Sequence, residues 1–286
     1  MKKTTILTTW YPLVEPYLNK FIASINNQID KNFSIIILNN NFKNFKKFKN
    51  KFNKKIEVIE IFSKTNQIIL NRKKLIEFAI KNKFDYLVFC DSDDYFSRNR
   101  ILLTKKNLKN NDIVINQIII KKKNKLYESF IKKKIANLIK KKKFNILNCN
   151  IFGLSNTAIK SKYVKKVINK INNNIKIFDW YFWILLEPFK KSVKFENKIK
   201  TYYNLHNNNQ TFTYQKVDHK KYIDLLKIRK NNFFYLKKIN KTYLKYYLNE
   251  KKYFKYIENK IKLSHNKIKE IIEYNRNYKQ KLWWEK

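Results

Sequence analysis

Short β-branched or apolar runs alternate with segments of helical spacing through the first third of the chain. Thr4 to Thr9 is a β-branched run, and Tyr17 to Gln28 places Leu18, Phe21, Ile22 and Ile25 on one helical face. Phe33 to Leu38 predicts a second strand, followed by an Asn-rich loop and a Lys/Phe segment, and Ile56 to Phe62 predicts a third. Leu70 to Lys81 carries Leu75, Ile76, Ala79 and Ile80 at helical spacing, and Tyr86 to Phe89 is a continuous apolar strand. Strands that are apolar on both faces and joined by helices predict an α/β fold. Its central sheet is mostly parallel, helices cover both faces, and ligands sit at the carboxyl ends of the strands.

Beyond Asp94 the alternation is less regular. Ile113 to Ile120 predicts a strand, and Leu126 to Lys143 predicts a basic amphipathic helix with Phe130, Ile131, Ile135, Leu138 and Ile139 on its apolar side. Asn145 to Ile159 holds the sole glycine, Gly153, and Asp179 to Leu186 predicts an aromatic helix. From about Tyr222 the pattern is helical and rich in Lys and Tyr, ending in Trp283-Trp284. The expected organisation is an α/β domain over residues 1–218 and a basic, aromatic-rich helical extension over 219–286. The extension reads first as helices packed on the first domain, ahead of a lid, an oligomerisation arm or a membrane-surface contact.

Composition changes this picture in one respect. The 286 residues include 65 basic and 21 acidic side chains, a formal net charge of +44, yet only five are arginines: Arg72, Arg98, Arg100, Arg229 and Arg276. Heavy use of Lys, Asn, Ile, Phe and Tyr with little Ala, Gly, Pro or Arg is what an AT-rich coding sequence imposes. Base reading favours the planar guanidinium fork, so the lysine excess argues against sequence-specific nucleic-acid recognition. It stays compatible with non-specific phosphate binding and with an anionic membrane surface. Cys90 and Cys149 alone make neither a disulfide framework nor a four-ligand zinc site. The N-terminus does not read as a signal peptide and no apolar run reaches about 18 residues, which predicts a cytoplasmic protein, at most peripheral to the membrane.

The acidic residues carry the sharper signal. Cys90-Asp91-Ser92-Asp93-Asp94 follows the apolar strand directly, and three carboxylates in four residues repel one another unless a cation or a ligand holds them. Hard divalent ions take carboxylate oxygens and complete their shell with phosphate and water, so the turn reads as a metal-diphosphate site. The plainer reading is a strand-closing turn or helix cap, where Asp and Ser are common.

This strand-then-DSDD arrangement resembles the donor site of the family-two glycosyltransferases of the GT-A fold, and other segments follow in the family's order over roughly residues 4–213. Thr9-Trp10-Tyr11 stands where the family has a Thr/Tyr motif touching the nucleotide, and Arg72 where an Ala-Arg-Asn helix places a base-contacting Arg. Asp179 in Phe178-Asp179-Trp180-Tyr181-Phe182-Trp183 is similar to the Glu-Asp-x-x-x-Trp segment whose Asp is the catalytic base. Tyr202 to Asn208 is similar to the Tyr-Arg-x-His-x-x-Asn segment.

The resemblance implies an inverting, metal-dependent sugar transfer from a nucleotide-sugar to a hydroxyl acceptor such as a saccharide or lipid-linked saccharide, as in cell-surface polysaccharide or lipopolysaccharide synthesis. It implies Asp179 as base and Thr9, Tyr11, Asn40, Arg72, Asp91 and Ser92 as donor contacts. Asp93, Asp94 and His206 are implied at a Mn²⁺ or Mg²⁺ ion, and Trp180 and Trp183 on the acceptor side. Two departures stand out. Leu38-Asn39-Asn40 replaces the usual Asp-Asp pair at the end of the second strand, and Phe178 replaces the Glu before the base. The alternatives are a non-catalytic basic protein binding single-stranded nucleic acid through Lys and aromatic faces, for which three clustered aspartates have no use, and a glycosyltransferase-like scaffold without activity.

Overall fold

A computed structural model describes residues 2–122, 125–129, 131, 133–147, 150–187, 192–206 and 219–263. Two compact units make up the chain: Met1–Phe144, Ile151–Asn169 and Leu186–Asn208 form one, and Asn145–Asn150, Lys170–Leu185 and Asn209–Lys286 the other. The boundary expected near residue 218 falls in a stretch outside the described residues, as do Cys149, His265 and Trp283-Trp284.

The first unit contains the sheet. Its leading half is β1 (Thr4–Trp10), β2 (Ser34–Asn40), β3 (Glu57–Ser63) and β4 (Tyr86–Phe89), all parallel in the order β3-β2-β1-β4. Between them run α1 (Glu15–Asn26), α2 (Phe45–Lys49) and α3 (Ile68–Lys81). Ile35, Ile36, Ile37 and Leu38 are all fully buried, so both faces of β2 are covered, as a parallel sheet with helical crossovers requires. The face of α1 that faces inward is the predicted one: Leu18, Phe21, Ile22 and Ile25 are buried. Trp10 closes β1 inside a ring of Phe42, Phe45, Phe48 and Phe52, with centroids 5.2 to 6.4 Å from its own. After β2 the chain turns through Asn41 in the left-handed region (φ 57°), a conformation Asn tolerates better than most residues.

Beyond β4 the sheet becomes mixed. It continues through β5 (Tyr95–Phe96), α4 (Arg100–Asn110), β6 (Ile113–Lys122), β7 (Lys125–Ser129), α5 (Lys133–Lys140), β8 (Thr157–Lys160), α6 (Ser161–Val164) and β9 (Val193–Leu205). The order is β4-β8-β6-β9-β5, with β7 also on β6; only β6 and β9 pair in parallel here, so the expected parallel character belongs to the leading half. The helix expected over 126–143 is corrected. Residues 125–129 form an antiparallel strand on β6 and the helix covers only Lys133–Lys140, because pairing with a long neighbouring strand overrides local helical spacing.

The second unit is helical. It holds α7 (Phe178–Leu186, ending at the unit boundary), α8 (His219–Ile239) and α9 (Leu244–Leu263). A helix apolar all round is one buried on all sides, and Phe178, Trp180, Tyr181, Phe182 and Ile184 each have 1% exposure or less. Trp180 meets Phe233 of α8 edge-on at 5.6 Å, and its Nε1–H donates to the Ile146 carbonyl at 2.8 Å. Arg229 lies over the Trp180 ring at 5.3 Å and pairs with Glu250 of α9 at 3.2 Å, both side chains buried.

Candidate active site

Strand order places the acidic turn. The chain leaves β1 toward β2 and β3 on one side and returns to β4 on the other, so β1 and β4 flank the switch point where α/β sheets bind ligands. Their register pairs Leu7 with Phe89, and Cys90 N–H extends the ladder to the Leu7 carbonyl at 3.0 Å. Asp91-Ser92-Asp93-Asp94 then turns over the end of β1, tied to it by Ser92 Oγ donating to the Thr9 carbonyl at 2.9 Å. Ser92 is buried and serves as that tie. The turn runs into β5, whose antiparallel pairing of Tyr95 with Tyr202 carries the end of β9 back across the acidic residues.

Six side chains from five segments of the first unit meet there. His206 Nε2 lies 2.9 Å from Asp93 Oδ2, and the ring of Tyr17, from α1, stacks on the imidazole at 4.4 Å. Arg72, from α3, brings Nη2 to 3.7 Å from Asp91 Oδ1. Tyr11 completes the group: burial first, then the Asp93 and Asp91 carboxylates, push its phenol up to about 12, so it stays a neutral donor. Of the residues picked from sequence, Tyr11, Arg72, Asp91, Asp93 and His206 are therefore brought together, and Thr9 supports them through its backbone.

Asp94 is placed differently. Its side chain is buried, Oδ1 accepts the Asn204 N–H at 3.1 Å, and Oδ2 has no hydrogen-bond partner among the described residues. Burial, followed by the neighbouring Asp93 and Asp91 charges, raises its carboxyl well above the usual range. Asn40 lies at the end of β2; with its amide oriented to satisfy its surroundings, it donates to the Ser63 and Thr65 carbonyls at 3.1 and 3.2 Å. An aspartate cannot make those two bonds, which accounts locally for the amide. Asn39 is buried, donating to Glu60 Oε1 and accepting the Phe42 N–H.

Behind the turn lies a set of residues that sequence reasoning missed. Ser155, in the short turn before β8, accepts the Asp91 N–H at 2.9 Å and donates to Asp91 Oδ2 at 3.1 Å. Its carbonyl accepts from the buried Arg100 Nη1 and from Thr201 Oγ1, both at 2.7 Å. Gly153, two residues earlier, has an ordinary φ of −71°; what it provides is room, since a Cβ there meets Asn156 Oδ1 at 3.2 Å. The available signal was rarity: in a chain that writes nearly every cation as Lys, Arg100 is one of five arginines, and here its planar fork is used at both ends.

Asp179, Trp180 and Trp183 belong to the second unit. Asp179 is half-buried at the start of α7; Oδ1 accepts the Trp180 N–H at 2.8 Å and Oδ2 accepts from Asn150 Nδ2 at 3.2 Å. Trp180 and Trp183, expected to offer apolar faces to an acceptor sugar, are 0% and 3% exposed. Within the helical unit Phe233 of α8 covers Trp180 edge-on at 5.6 Å.

Among the described residues no three His, Cys, Asp or Glu side chains converge on one point. Asp93 and His206 offer one carboxylate and one imidazole within 2.9 Å, a donor pair that fits a divalent ion whose shell is completed by diphosphate and water. Among the described residues, no helix is long and apolar enough to cross a membrane.

No curated protein matches the chain by sequence. Solved structures do match by fold. TarS residues 1–349 of S. aureus, in complex with UDP-GlcNAc, superposes with a TM-score of 0.59 at 13% identity, covering 82% of this chain and 66% of that one. The mannosyltransferase PcManGT of Pyrobaculum calidifontis, with GDP-Man and Mn²⁺, gives 0.59 at 10% identity over 88% and 69%. GalNAc-T7 with UDP, GalNAc and Mn²⁺ gives 0.53 at 8% over 73% and 45%. This chain thus spans just under two thirds of the TarS fragment, and the shared feature is the GT-A fold. Residues 6–173 match Glycosyl transferase family 2, and with more than half of its length inside that match the chain belongs to this family.

Proposed function

We propose that this protein transfers a sugar from a nucleoside-diphosphate sugar to a hydroxyl acceptor, with inversion at the anomeric carbon. The observation that carries the reading is the convergence of Arg72–Asp91 and His206–Asp93 on one turn at the sheet's switch point. Asp91 and Arg72 hold the nucleoside end of the donor, with Tyr11 as a neutral hydrogen-bond donor beside them. Asp93 and His206 would hold a Mn²⁺ or Mg²⁺ ion, which would supply Lewis-acid stabilisation of the departing diphosphate. Asp94, buried and raised in pKa, serves as a fixed part of the turn. Asn40, its amide committed to Ser63 and Thr65, turns its carbonyl oxygen toward the base. Asp179 takes the proton of the attacking hydroxyl; hydrogen bonds from Asn150 Nδ2 and the Trp180 N–H orient the carboxylate for that task. A single base with no covalent sugar intermediate gives inversion, as one in-line displacement must.

Calorimetric titration of the full chain with UDP, GDP, UDP-GlcNAc and GDP-mannose, with Mn²⁺ or Mg²⁺, tests the reading. One nucleotide should bind in a metal-dependent manner, and Asp93→Asn should weaken that binding at least about tenfold. Absence of any nucleotide binding, with tight binding of a single-stranded oligonucleotide at physiological salt, would replace it with the nucleic-acid reading.

A further inference from the structure

Antiparallel register puts Ser155 opposite Asp91. β4 pairs with β8 as Tyr86 to Lys160, Leu87 to Ile159 and Val88 to Ala158, and continuing the same count three residues further sets Asp91 against Ser155. The ladder ends there in a reciprocal side-chain pair: Ser155 Oγ accepts the Asp91 N–H and donates to Asp91 Oδ2. One carboxylate oxygen is therefore fixed inward, while the other, Oδ1, lies on the side where Arg72 Nη2 stands 3.7 Å away. Ser155 is itself 4% exposed and its hydroxyl is used in both directions, which rules it out as a nucleophile or a direct ligand contact.

Ser155 is held in turn. Arg100 is 2% exposed; one end of its fork donates to the Ser155 carbonyl and to Thr201 Oγ1, the other to the Phe89 carbonyl at 2.7 Å, and the Phe96 ring lies 4.1 Å from the guanidinium carbon. Thr201 Oγ1 donates to the Ser155 carbonyl and accepts from Arg100 and from Asn116 Nδ2 at 2.9 Å. A single guanidinium thus spans the last residue of β4 and the residue facing Asp91. Lysine, with one nitrogen, cannot span both.

We propose that Ser155 is a positioning residue of the donor site: it locks Asp91 in the rotamer that presents Oδ1 to the nucleotide-sugar, and Arg100 and Thr201 anchor it. This rests on the sugar-transfer reading above. The removal of one hydroxyl leaves the Asp91 N–H and Oδ2 without that partner and lets the carboxylate rotate, so its effect falls on ligand binding through Asp91.

The test compares wild type, Ser155→Ala, Asp91→Asn and the double variant by titration with UDP and GDP in Mn²⁺, alongside thermal melts. Ser155→Ala should weaken the nucleotide that wild type binds about tenfold at full stoichiometry, and the double variant should bind no worse than Asp91→Asn alone. Donor KM should rise with kcat nearly unchanged. Wild-type affinity in Ser155→Ala overturns the inference, as does unchanged affinity at reduced stoichiometry, which marks a merely structural serine. Effects that simply add in the double variant overturn it too. Should Ser155→Ala fail to fold, Thr201→Val, which frees the Ser155 carbonyl, carries the same cycle. Failure of wild type to bind any nucleotide sinks the sugar-transfer reading instead, and is recognised before any variant is measured.

Discussion

Each compact unit buries an arginine, and the two are used in opposite ways. Arg229, in the helical unit, faces Glu250 at 3.2 Å and covers the Trp180 ring, so its charge is neutralised where it sits. Arg100, in the sheet unit, is bonded to two carbonyls and a hydroxyl and to no carboxylate among the described residues. Burial pulls its pKa below the ordinary value, while Cys90, Asp94 and Asp91 push it back up. A cation satisfied by neutral acceptors still exerts its field, and here that field falls on the acidic turn. The contrast teaches that a buried arginine can be neutralised within its packing, as Arg229 is, or held by neutral acceptors behind an acidic turn, as Arg100 is.

The largest effect that tests this division is on catalysis. Asp179→Asn, in the helical unit, should lower the transfer rate by about 10²- to 10⁴-fold while leaving donor affinity as it was. Lost affinity, seen by titration, would make Asp179 a structural cap. Next come the arginines themselves. Arg229→Met should cost about 3–5 kcal/mol in urea denaturation by taking the guanidinium away from the buried Glu250, and Arg229→Met with Glu250→Leu should recover most of that. Donor affinity of the folded protein should not move in either. Arg100→Lys should cost less, about 1–3 kcal/mol, yet weaken nucleotide binding. Equal behaviour of the two arginines would erase the contrast.

The smallest effect concerns Asp112, a carboxylate satisfied without any arginine. Burial alone would raise its pKa, but hydrogen bonds from Tyr163, Ser192 and Lys160 outweigh this and hold it below the usual value. A depressed folded pKa means stability that is present above the unfolded carboxylate's range and lost as pH falls through the folded value. Asp112→Asn should therefore lower stability by about 1 kcal/mol near neutral pH, with the deficit shrinking in urea midpoints as pH falls through the lowered folded value.

What was legible in the sequence follows from where the signal is local. The apolar strand Tyr86–Phe89 with three aspartates after it announces itself, because continuous burial and clustered charge are properties of adjacent residues. The helical faces of α1 and α3 were legible for the same reason. β9 was not, since Lys194-Phe195-Glu196-Asn197-Lys198-Ile199 has no period and takes its form from β6 and β5. Ser155 could not be found without the β4–β8 register, which no nearby residue encodes. The neighbours that cover Trp180 were not legible either, because a helix does not declare its packing partners.

β9 has one further consequence. It carries Thr201 behind the acidic turn and delivers His206, the residue after its end, to Asp93; residues 197–199 stand outside its pairing with β6, between Asn116–Glu196 and Gln117–Lys200. A two-residue slip along a strand is about 7 Å of travel, far beyond the reach of any of these bonds. One register therefore sets both contacts, Thr201 against Ser155 and His206 against Asp93.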